Sequence, residues 1–494
     1  MTPIRSLLLI SLISFSLFFH DLTRTDLWSS HEARAAQNAQ RMIDDDAWAL
    51  PRLYDDQPEM QKPPAFYWMT AGIASLRDGV VDRWAVRLPA ALSAWGTVLL
   101  VWGFLAGRGR PVAGLIAGLV LATSIHFTSA ARTGRIDMPL TFCTTASIML
   151  IVSRLNPQLR IALTGCLLAA ALLLKGPVGL VLPGTVLVVW LTIGTIRGTI
   201  NDTRPLYVLG TSSVLGVALA LPWFLWVNDA THGEFVRSFF WHHNIERATG
   251  DSATLASHPW WYYGPRFALD FLPGTPLLLL AVASFMRFAR PCFASGSDEL
   301  PRSRDPEASL GLVWLATMIG LLSLAQFKRA DYLLPAYPGA ALLIGCMGER
   351  WYRGVRERSR NVAVACGGIL LVACLGGWWW FRQYEEPKME AARAQQAFAV
   401  HIREQAPVPQ PILMFRVESH LLAYHLGRPI HTLVEWGELN ERLAQPGTHW
   451  FVTRSEFVDE CFTHVRTQRL RVEARSEDFS RARPHRPLVL IRTE

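Results

Sequence analysis

The strongest constraint on the fold of this chain is the grouping of its apolar residues into long blocks, separated by short loops rich in Arg, Pro and Gly. A helix needs roughly 20 apolar residues to cross a bilayer, and about eleven blocks approach that length. The chain is 51% hydrophobic and 18% charged, and a soluble domain usually carries more charge. The pattern predicts a polytopic α-helical membrane protein. The blocks lie near 5–20, 84–106, 111–129, 136–153, 160–174, 178–196, 205–227, 266–286, 308–327, 331–348 and 362–381.

Two blocks leave the topology open. The block at 160–174 is short, so the turn at Lys175 is either a loop between spans or a break within one long segment. Ten to thirteen spans fit the sequence, depending on such choices. The first block has a basic start at Arg5 and no small-residue cleavage pattern after Phe19. We therefore expect an uncleaved anchor rather than a signal peptide.

The arginines indicate the orientation, because they are concentrated in alternate loops. With eleven spans and a cytoplasmic N-terminus, all of these loops are cytoplasmic, as the positive-inside bias requires. The net charge of +8 therefore reflects insertion into the inner membrane and not nucleic-acid binding. The loop arginines are Arg108, Arg110, Arg154, Arg160, Arg197, Arg204, Arg287, Arg290, Arg302, Arg304, Arg350, Arg353, Arg356, Arg358 and Arg360.

The same topology leaves a first loop (21–83), four short segments and the tail (382–494) on the outer side. A charged side chain at membrane depth costs roughly 2.5–3.5 kcal/mol, so it usually faces a cavity or a partner. Asp137 and Lys175 are the sharpest cases. We expect one polar site at the outer face, within a transmembrane domain spanning residues 1–381. The short segments are 131–139, 175–177, 228–265 and 328–332.

The tail is predicted to be a soluble extracytoplasmic α/β domain over residues 382–494. A helix at 388–405 precedes three buried strands, with helical stretches near 418–426 and 436–444 between them. Of seven cysteines, only Cys461 lies outside in this topology, so an extracytoplasmic disulfide has no second partner. The predicted strands are Ile412–Phe415, His449–Thr453 and Leu488–Ile491.

The first outer loop carries two candidate groups. Glu32 follows Ser29 in the spacing of a capping box, so it either caps a helix that starts here or supplies a carboxylate to a site. Lys62 precedes two prolines, which block a helix at that point. It can meet a phosphate as a point charge, or it can be an interfacial lysine whose ammonium reaches the membrane surface.

Two later segments carry the remaining candidates. Asp137 stands after two cations, Arg132 and Arg135, so it either forms local salt bridges or serves a site at the entrance of the next span. The adjacent residues His242 and His243 do not share a helix face, so metal binding through both is not expected. Arg247 ends that aromatic segment and is the residue there for which we predict a function.

The order of these motifs resembles the bacterial branch of the protein O-mannosyltransferase superfamily, and within it the aminoarabinose transferases that modify lipid A. The resemblance covers residues 1 to about 350 and implies a GT-C fold. The matching pieces are His31-Glu32-Ala33-Arg34, Gln61-Lys62-Pro63-Pro64, Asp137-Met138-Pro139, Lys175-Gly176, Phe240-Trp241 to Arg247, and Tyr332-Leu333-Leu334-Pro335.

The resemblance implies an inverting transfer of a sugar from a polyprenyl-phosphate donor to a lipid or other envelope acceptor at the outer face. A carboxylate would act as general base, and cations would stabilise the departing phosphate. The resemblance assigns Lys62, Arg34 and Arg247 to the phosphate, and Glu32, Asp137 and His31 to the catalytic group. It places Lys175, Tyr332, Lys328 and His243 in the donor or acceptor pocket.

Two positions depart from the family pattern. His31 replaces the first Asp of an Asp-Glu pair, and Gln61 replaces the Glu of Glu-Lys-Pro-Pro. Glu32, Asp137 or His31 is then the base, and a His base is chemically sensible near neutral pH. A divalent metal is the one cofactor that the family pattern offers, and Gln61, which removes a proposed ligand, argues against it without deciding the question.

Two other functions compete with this one. A transporter or flippase usually places polar groups at the membrane midplane, often with inverted repeats, whereas here the polar groups gather at one face. A catalytically inactive relative that binds lipid-linked sugar is the third alternative, which the changes at His31 and Gln61 leave open. The sequence alone fixes neither the sugar nor the acceptor.

Overall fold

The computed structural model describes residues 2–27, 29–246, 258–289, 305–391, 395–406, 408, 411–465, 468–480 and 486–494. Helices occupy all eleven predicted apolar blocks. Up to the last span they are α1 (Pro3–Phe19), α2 (Ser30–Asp44), α3 (Ala65–Ser75), α4 (Arg83–Ala106), α5 (Pro111–Thr123), α6 (Ile125–Ala131), α7 (Asp137–Ile151), α8 (Pro157–Lys175), α9 (Val178–Ile196), α10 (Arg204–Ala230), α11 (Glu234–Val236), α12 (Tyr263–Asp270), α13 (Gly274–Ala289), α14 (Pro306–Leu324), α15 (Tyr337–Gly354) and α16 (Glu357–Trp380).

Six of the described helices are long and apolar enough to cross a membrane, and up to eight spans result if two bent pairs each count as one. The chain is thus a multi-pass membrane protein. Helices α1 and α7 are shorter, with 17 and 15 residues. A π-helix (Arg237–Glu246) follows α11, and 3-10 turns (Trp260–Tyr262 and Ala330–Ala336) precede α12 and α15.

Two of the predicted spans are not continuous. The block at 111–129 bends by 72° between α5 and α6, and the block at 266–286 bends by 112° between α12 and α13. One hydrogen bond joins the two bends: the Ile125 amide at the first donates to the Leu272 carbonyl at the second over 2.9 Å. Non-helical backbone at membrane depth needs such a protein partner. Hydrophobicity alone cannot reveal these breaks, since both sides of each are apolar.

The question at Lys175 is resolved in favour of two separate helices. Helices α8 and α9 each have 19 residues and each is apolar enough to span. Gly176 separates them with a φ of 67°, a conformation that glycine adopts without strain. Helix α8 also begins earlier than predicted, because Asn156 caps it and Pro157 occupies its first turn.

The chain divides into two compact units. The first contains Met1–Leu22, Met60–Phe66 and Arg87–Gly376, and the second contains Thr23–Glu59, Tyr67–Val86 and Gly377–Glu494.

Close helix packing in the first unit depends on glycine. A Cβ built on Gly311 of α14 would lie 2.7 Å from the Gly339 carbonyl of α15, so these two helices touch through their backbones.

The second unit contains a five-stranded sheet of β1 (Ile412–Phe415), β2 (Ile430–Leu433), β3 (Trp450–Arg454), β4 (Leu470–Arg475) and β5 (Leu488–Thr493). The strand order is β2-β1-β3-β5-β4. Strands β1, β2 and β3 are parallel, while β5 runs antiparallel to β3 and β4. Three strands were predicted, whereas the edge strands β2 and β4 were not. The tail elements are α17 (Glu386–Ala391), α18 (Gln395–Gln405), β1 (Ile412–Phe415), α19 (His420–Leu426), β2 (Ile430–Leu433), α20 (Trp436–Leu443), β3 (Trp450–Arg454), α21 (Val458–His464), β4 (Leu470–Arg475) and β5 (Leu488–Thr493).

The second unit joins the first outer loop to the tail. Tyr54 of the loop is part of the apolar core on one face of the sheet, and its carbonyl accepts from the Ile430 amide of β2 at 3.0 Å. The Gln37 amide of α2 donates to the His420 carbonyl at 2.8 Å. The loop therefore completes the hydrogen bonding of the edge strand, which an edge strand otherwise leaves open.

Candidate functional site

A cavity of about 160 Å³ lies in the first unit at the ends of several helices. Its polar lining comes from segments that are far apart in sequence and that the predicted topology places at one face. The rest of its wall is apolar. The lining residues are Gln61, Lys62, Asp137, Leu140, Lys175, Val178, Leu182, Phe239, Leu322, Ala325, Phe327, Asp331, Tyr332 and Pro335.

The centre of the pocket is an ion pair between Asp137 and Lys175. The Lys175 Nζ lies 2.5 Å from Asp137 Oδ1, and both side chains are 13% exposed. Asp137 begins α7 and Lys175 ends α8, so the antiparallel pairing of these consecutive helices brings the two residues to the same end. Each charge also has the favourable sign for the dipole of its helix.

Tyr332 and Asp331 reach the pocket from the 3-10 turn at Ala330–Ala336. The Lys175 ammonium lies 4.1 Å from the centre of the Tyr332 ring, the geometry of a cation–π contact. The turn is anchored by Trp314, whose Nε1 donates to the Pro335 carbonyl at 2.8 Å. Because Pro335 lies inside the turn, the following helix starts only at Tyr337.

Asp137 does not form the local salt bridges with Arg132 and Arg135 that its sequence position allows. Arg135 pairs instead with Asp331. Arg132 donates to the backbone carbonyls of Leu17 and His20 at 2.8 and 2.7 Å. Asp137 thus finds its ion-pair partner 38 positions along the chain, in the next helix.

Gln61 and Lys62 enter the pocket from the segment just before α3. Pro63 and Pro64 disfavour an earlier start of the helix, so these two side chains project from a bent, non-helical segment. The Lys62 ammonium is close enough to act electrostatically on the Asp137 carboxylate. The described lining of the pocket therefore offers two ammonium groups to an anion, Lys62 and Lys175.

Glu32 and Arg34 lie in the second unit and are engaged there. Glu32 is buried and forms the predicted capping box, with reciprocal 3.3 Å hydrogen bonds between Ser29 and Glu32. Arg34 forms a bidentate pair with Glu59 at 2.7 and 3.3 Å. Burial opposes the charge of Arg34, but Glu59 outweighs that effect and raises the pKa of Arg34 above its ordinary value. His31 is exposed.

The remaining predicted residues take different positions. Lys328 is buried and does not line this pocket, because its ammonium donates to the backbone carbonyls of His258, at 3.1 Å, and Ala325. Arg247 and the side chain of His243 lie outside the described residues. From the same segment, Phe239 lines the pocket and packs over Gly176, where an added Cβ would lie 2.5 Å from its ring.

Four residues of this region were not predicted as site residues. Asp331, Arg135 and His126 form a partly buried cluster in the first unit, and Glu59 pairs with Arg34 in the second. The scarcity of lysine in the sequence is a signal that could have identified this pocket. Only four of the 48 basic residues are lysines, and two of the four line this pocket. In a chain that otherwise prefers arginine, a lysine indicates a place where a compact charge is needed.

Within the described part of the chain, no group of three His, Cys, Asp or Glu side chains is arranged to hold a metal ion. Gln61 is the pocket residue at the position where the family pattern has a carboxylate. Its neutral amide cannot supply the anionic oxygen that divalent ions prefer.

Sequence comparisons identify proteins that are similar to this chain. The profile of a family described as dolichyl-phosphate-mannose-protein mannosyltransferase matches residues 61–226. The undecaprenyl phosphate-alpha-4-amino-4-deoxy-L-arabinose arabinosyl transferase of Pseudomonas aeruginosa (strain LESB58) is 29% identical over 345 residues, which are 68% of this chain and 58% of that protein. An uncharacterized protein of Aquifex aeolicus (strain VF5) is 27% identical over 345 residues, 69% of this chain and 63% of that protein. The chain thus matches less than two thirds of the length of each relative.

Solved structures show the same fold. The crystal structure of ArnT from Cupriavidus metallidurans bound to undecaprenyl phosphate superposes with a TM-score of 0.76 at 18% identity, covering 98% of this chain and 97% of that chain. The Archaeoglobus fulgidus oligosaccharyltransferase in the apo form has a TM-score of 0.55 at 12% identity, covering 94% and 71%. The chain therefore has the GT-C fold, and the predicted resemblance to aminoarabinose-transferase-like proteins is confirmed.

Proposed function

We propose that this protein is a glycosyltransferase that moves a sugar from a polyprenyl-phosphate donor to a lipid or glycolipid acceptor of the cell envelope, with inversion at the anomeric carbon. The observation that carries the proposal is the pocket itself. One end holds Lys62, Asp137 and Lys175, and the wall beside them is apolar. An amphiphile with an anionic head and a hydrocarbon tail fits that arrangement.

The cationic end of the pocket is assigned to the donor phosphate. Negative charge grows on the phosphate as the bond to the sugar breaks, and preorganised cations stabilise that charge. The charge of Lys175 is already matched by Asp137 at 2.5 Å, so Lys62 is the principal phosphate ligand in this proposal. Arg34 and Arg247 stay phosphate ligands by the family resemblance alone, because Arg34 lies in the second unit, where it pairs with Glu59, and Arg247 lies outside the described residues.

The apolar wall is assigned to the polyprenyl chain. Val178 and Leu182 lie in the first turns of α9, and Leu322 lies in the last turn of α14. Both helices are apolar enough to span a membrane. A hydrocarbon chain can therefore extend from the polar end of the pocket along them into the membrane. The relative from Cupriavidus metallidurans was crystallised with undecaprenyl phosphate, a lipid of this class.

Asp137 is proposed as the general base. It is the predicted catalytic residue that lines the pocket, whereas the Glu32 carboxylate accepts from the cap of α2 and His31 is exposed. The carboxylate would take the proton of the acceptor hydroxyl while that oxygen attacks the anomeric carbon opposite the phosphate. Attack from the opposite side inverts the configuration, and the phosphate leaves with the bonding electron pair.

The orientation and the domain boundary are also proposals. We infer a cytoplasmic N-terminus, a pocket at the outer face of the inner membrane and a soluble extracytoplasmic domain at residues 382–494. The arginine-rich loops support this orientation through the positive-inside bias. The acceptor class, lipid A or another envelope glycolipid, rests on the resemblance to the arabinosyl transferases.

The proposal is tested by mass spectrometry of envelope glycolipids from cells with and without this protein, since one measurement identifies both acceptor and sugar. We expect a glycolipid that gains the mass of one sugar residue only when the protein is present, and loses it when Asp137→Asn replaces the wild type. A transporter would instead change the sidedness of lipid-linked sugar without forming a new glycolipid. Unchanged glycolipids in both strains would overturn the proposal.

A further inference from the structure

The pocket residue Asp331 is held by a partly buried cluster of ionisable side chains that the proposed mechanism does not use. Arg135 pairs with Oδ2 of Asp331, and Arg329 Nη2 lies 3.6 Å from the same oxygen. The other oxygen, Oδ1, faces His126 Nε2 at 3.5 Å. The side chains of His126 and Asp331 are each 14% exposed.

His126 itself lies between two carboxylates. On its far side, Nδ1 is 3.9 Å from Asp270 Oδ2, and Arg266 Nε binds that oxygen at 2.6 Å. The His126 ring therefore lies between two carboxylates that are each paired with an arginine, Asp270 with Arg266 and Asp331 with Arg135. It joins α12, α6, the 3-10 turn and the segment before α7, all within the first unit.

The backbone around His126 is fixed independently of the imidazole. His126 is the second residue of α6, directly after the bend where the Ile125 amide donates to the Leu272 carbonyl at 2.9 Å. The ring also packs edge-on against Tyr337, with 6.2 Å between ring centres. A ring whose position is set in this way can orient the carboxylate in front of it.

The Nε2 of His126 has no hydrogen-bond partner among the described residues. A buried imidazole nitrogen without a partner is costly, and Asp331 Oδ1 is the acceptor it faces. A small movement of the turn would close the 3.5 Å gap. The imidazole is thus placed to set the position of Asp331, and with it the neighbouring Tyr332.

We propose that His126 is a positioning residue of the donor pocket, which orients the Asp331 carboxylate through Nε2 and so keeps Arg135 and Tyr332 in place. This inference rests on the proposed function, because it concerns the same pocket. His126 does not line the pocket and is not a catalytic residue in this scheme. It acts through Asp331.

The test compares three substitutions by their affinity for undecaprenyl phosphate in purified, lipid-supplemented protein. His126→Gln places an amide near the position of Nε2 and should bind within about twofold of wild type. His126→Asn places its amide near Nδ1, toward Asp270, and His126→Phe keeps the ring without nitrogen. Both should bind about tenfold more weakly, a change of about 1.4 kcal/mol.

Two further variants separate positioning from packing. Tyr337→Phe removes a hydroxyl that has no hydrogen-bond partner among the described residues, while it preserves the ring against His126. It should bind like wild type. His20→Gln, at a histidine whose side chain is 65% exposed, controls for histidine loss elsewhere. Melting temperatures are measured for every variant.

The outcomes distinguish the inference from the proposed function. Wild-type protein that is folded but does not bind undecaprenyl phosphate overturns both. Wild-type binding together with unchanged His126→Phe, or equal weakening in the Asn and Gln variants, overturns only the role of His126. If His126→Phe fails to fold, the Asn and Gln comparison decides, and loss of folding in all three makes His126 a structural residue only.

Discussion

At the scale of single residues, the pocket holds its charges in opposed pairs. Asp137 is matched by Lys175 at 2.5 Å, and Asp331 by Arg135. Removing two charges from water costs free energy, which their attraction repays only when the geometry is good. A pocket with balanced charges and an additional lysine, Lys62, is suited to a ligand that brings its own negative charge.

The first prediction concerns Asp137 and Lys62. Asp137→Asn and Lys62→Ala should each reduce sugar transfer by about 10²–10⁴-fold, because the first removes the base and the second a phosphate ligand. Membrane insertion should be unchanged, since Asp137 lies at the start of α7 and Lys62 in the segment before α3. The measurement is transfer by purified, reconstituted variants with a lipid-linked sugar donor.

The matched control for Lys62→Ala is Lys388→Ala. Lys388 is 68% exposed and its ion pair with Glu385 at 2.8 Å lies on a helix surface, where such pairs contribute little. Its substitution should leave the transfer rate unchanged. Wild-type rates in both pocket variants would contradict the assignment of this cavity as the active site.

The second prediction treats Asp137 and Lys175 as a coupled pair. Lys175→Met leaves a buried carboxylate without its cation, which typically costs about 3–5 kcal/mol. The double variant Asp137→Asn with Lys175→Met removes both charges and should recover most of that loss. Thermal unfolding of the purified proteins measures the effect, and a double variant no more stable than the single one would show that the pair is not coupled.

At the scale of helices, close packing depends on a few glycines. Gly345 of α15 faces α5, where an added Cβ would collide with the Ala113 carbonyl and lie 2.9 Å from the Ala117 side chain. The carbonyl belongs to a helix backbone and cannot rotate away. Gly320 of α14 is exposed, and an added Cβ there would meet nothing within 4 Å.

The third prediction follows from that contrast. Gly345→Ala should destabilise the protein by about 1–3 kcal/mol, because α5 and α15 must move apart. Gly320→Ala should be neutral or slightly stabilising, since alanine favours a helix over glycine. Melting temperatures of the two variants test this directly, and equal values would mean that the helices tolerate the extra methyl group.

The helices were predictable from the sequence to the extent that their causes are local. Every apolar block contains a helix, and the capping box at Ser29 and Glu32 marks the start of α2 as expected. The bends beside Ser124 and Pro273 were not predictable from hydrophobicity. Edge strand β2 was missed because its pattern is short and half exposed, so that no buried apolar run marks it.

The site was predictable only in part, for a related reason. The sequence identifies Asp137 and Lys175 individually, as charged groups next to apolar blocks, and the family resemblance adds Tyr332. Their partners depend on which helices become neighbours. Asp137 pairs with Lys175 rather than with the nearby arginines, and Asp331 gains His126 from more than 200 positions earlier. Such pairs are consequences of the tertiary fold and carry no local sequence signal.

At the scale of the whole chain, contacts within the first unit agree with the predicted sidedness of the loops. Arg110, between α4 and α5, pairs with Asp305 before α14 and with Glu349 near the end of α15, at 2.7 Å in each case. The predicted topology places these three segments on one side. It places the pocket segments on the other, and the structure brings those together around Lys175. Ion pairing groups the loops but does not show which group faces the cytoplasm.

The last prediction therefore addresses orientation. Five arginines at positions 350–360 lie just before α16 and in its first turn, and the helix ends at Trp378, Trp379 and Trp380. The positive-inside bias therefore predicts that α16 carries the chain from the cytoplasm to the outer side. Alkaline phosphatase is active only outside the cytoplasm. Fused after Gly354 it should be inactive, and fused after Glu494 it should be active. These two sites differ by this one span, so equal activities would mean that α16 does not cross the membrane. A reversed pattern would invert the protein and place the pocket at the cytoplasmic face, where the proposed transfer to an outer-leaflet acceptor could not occur.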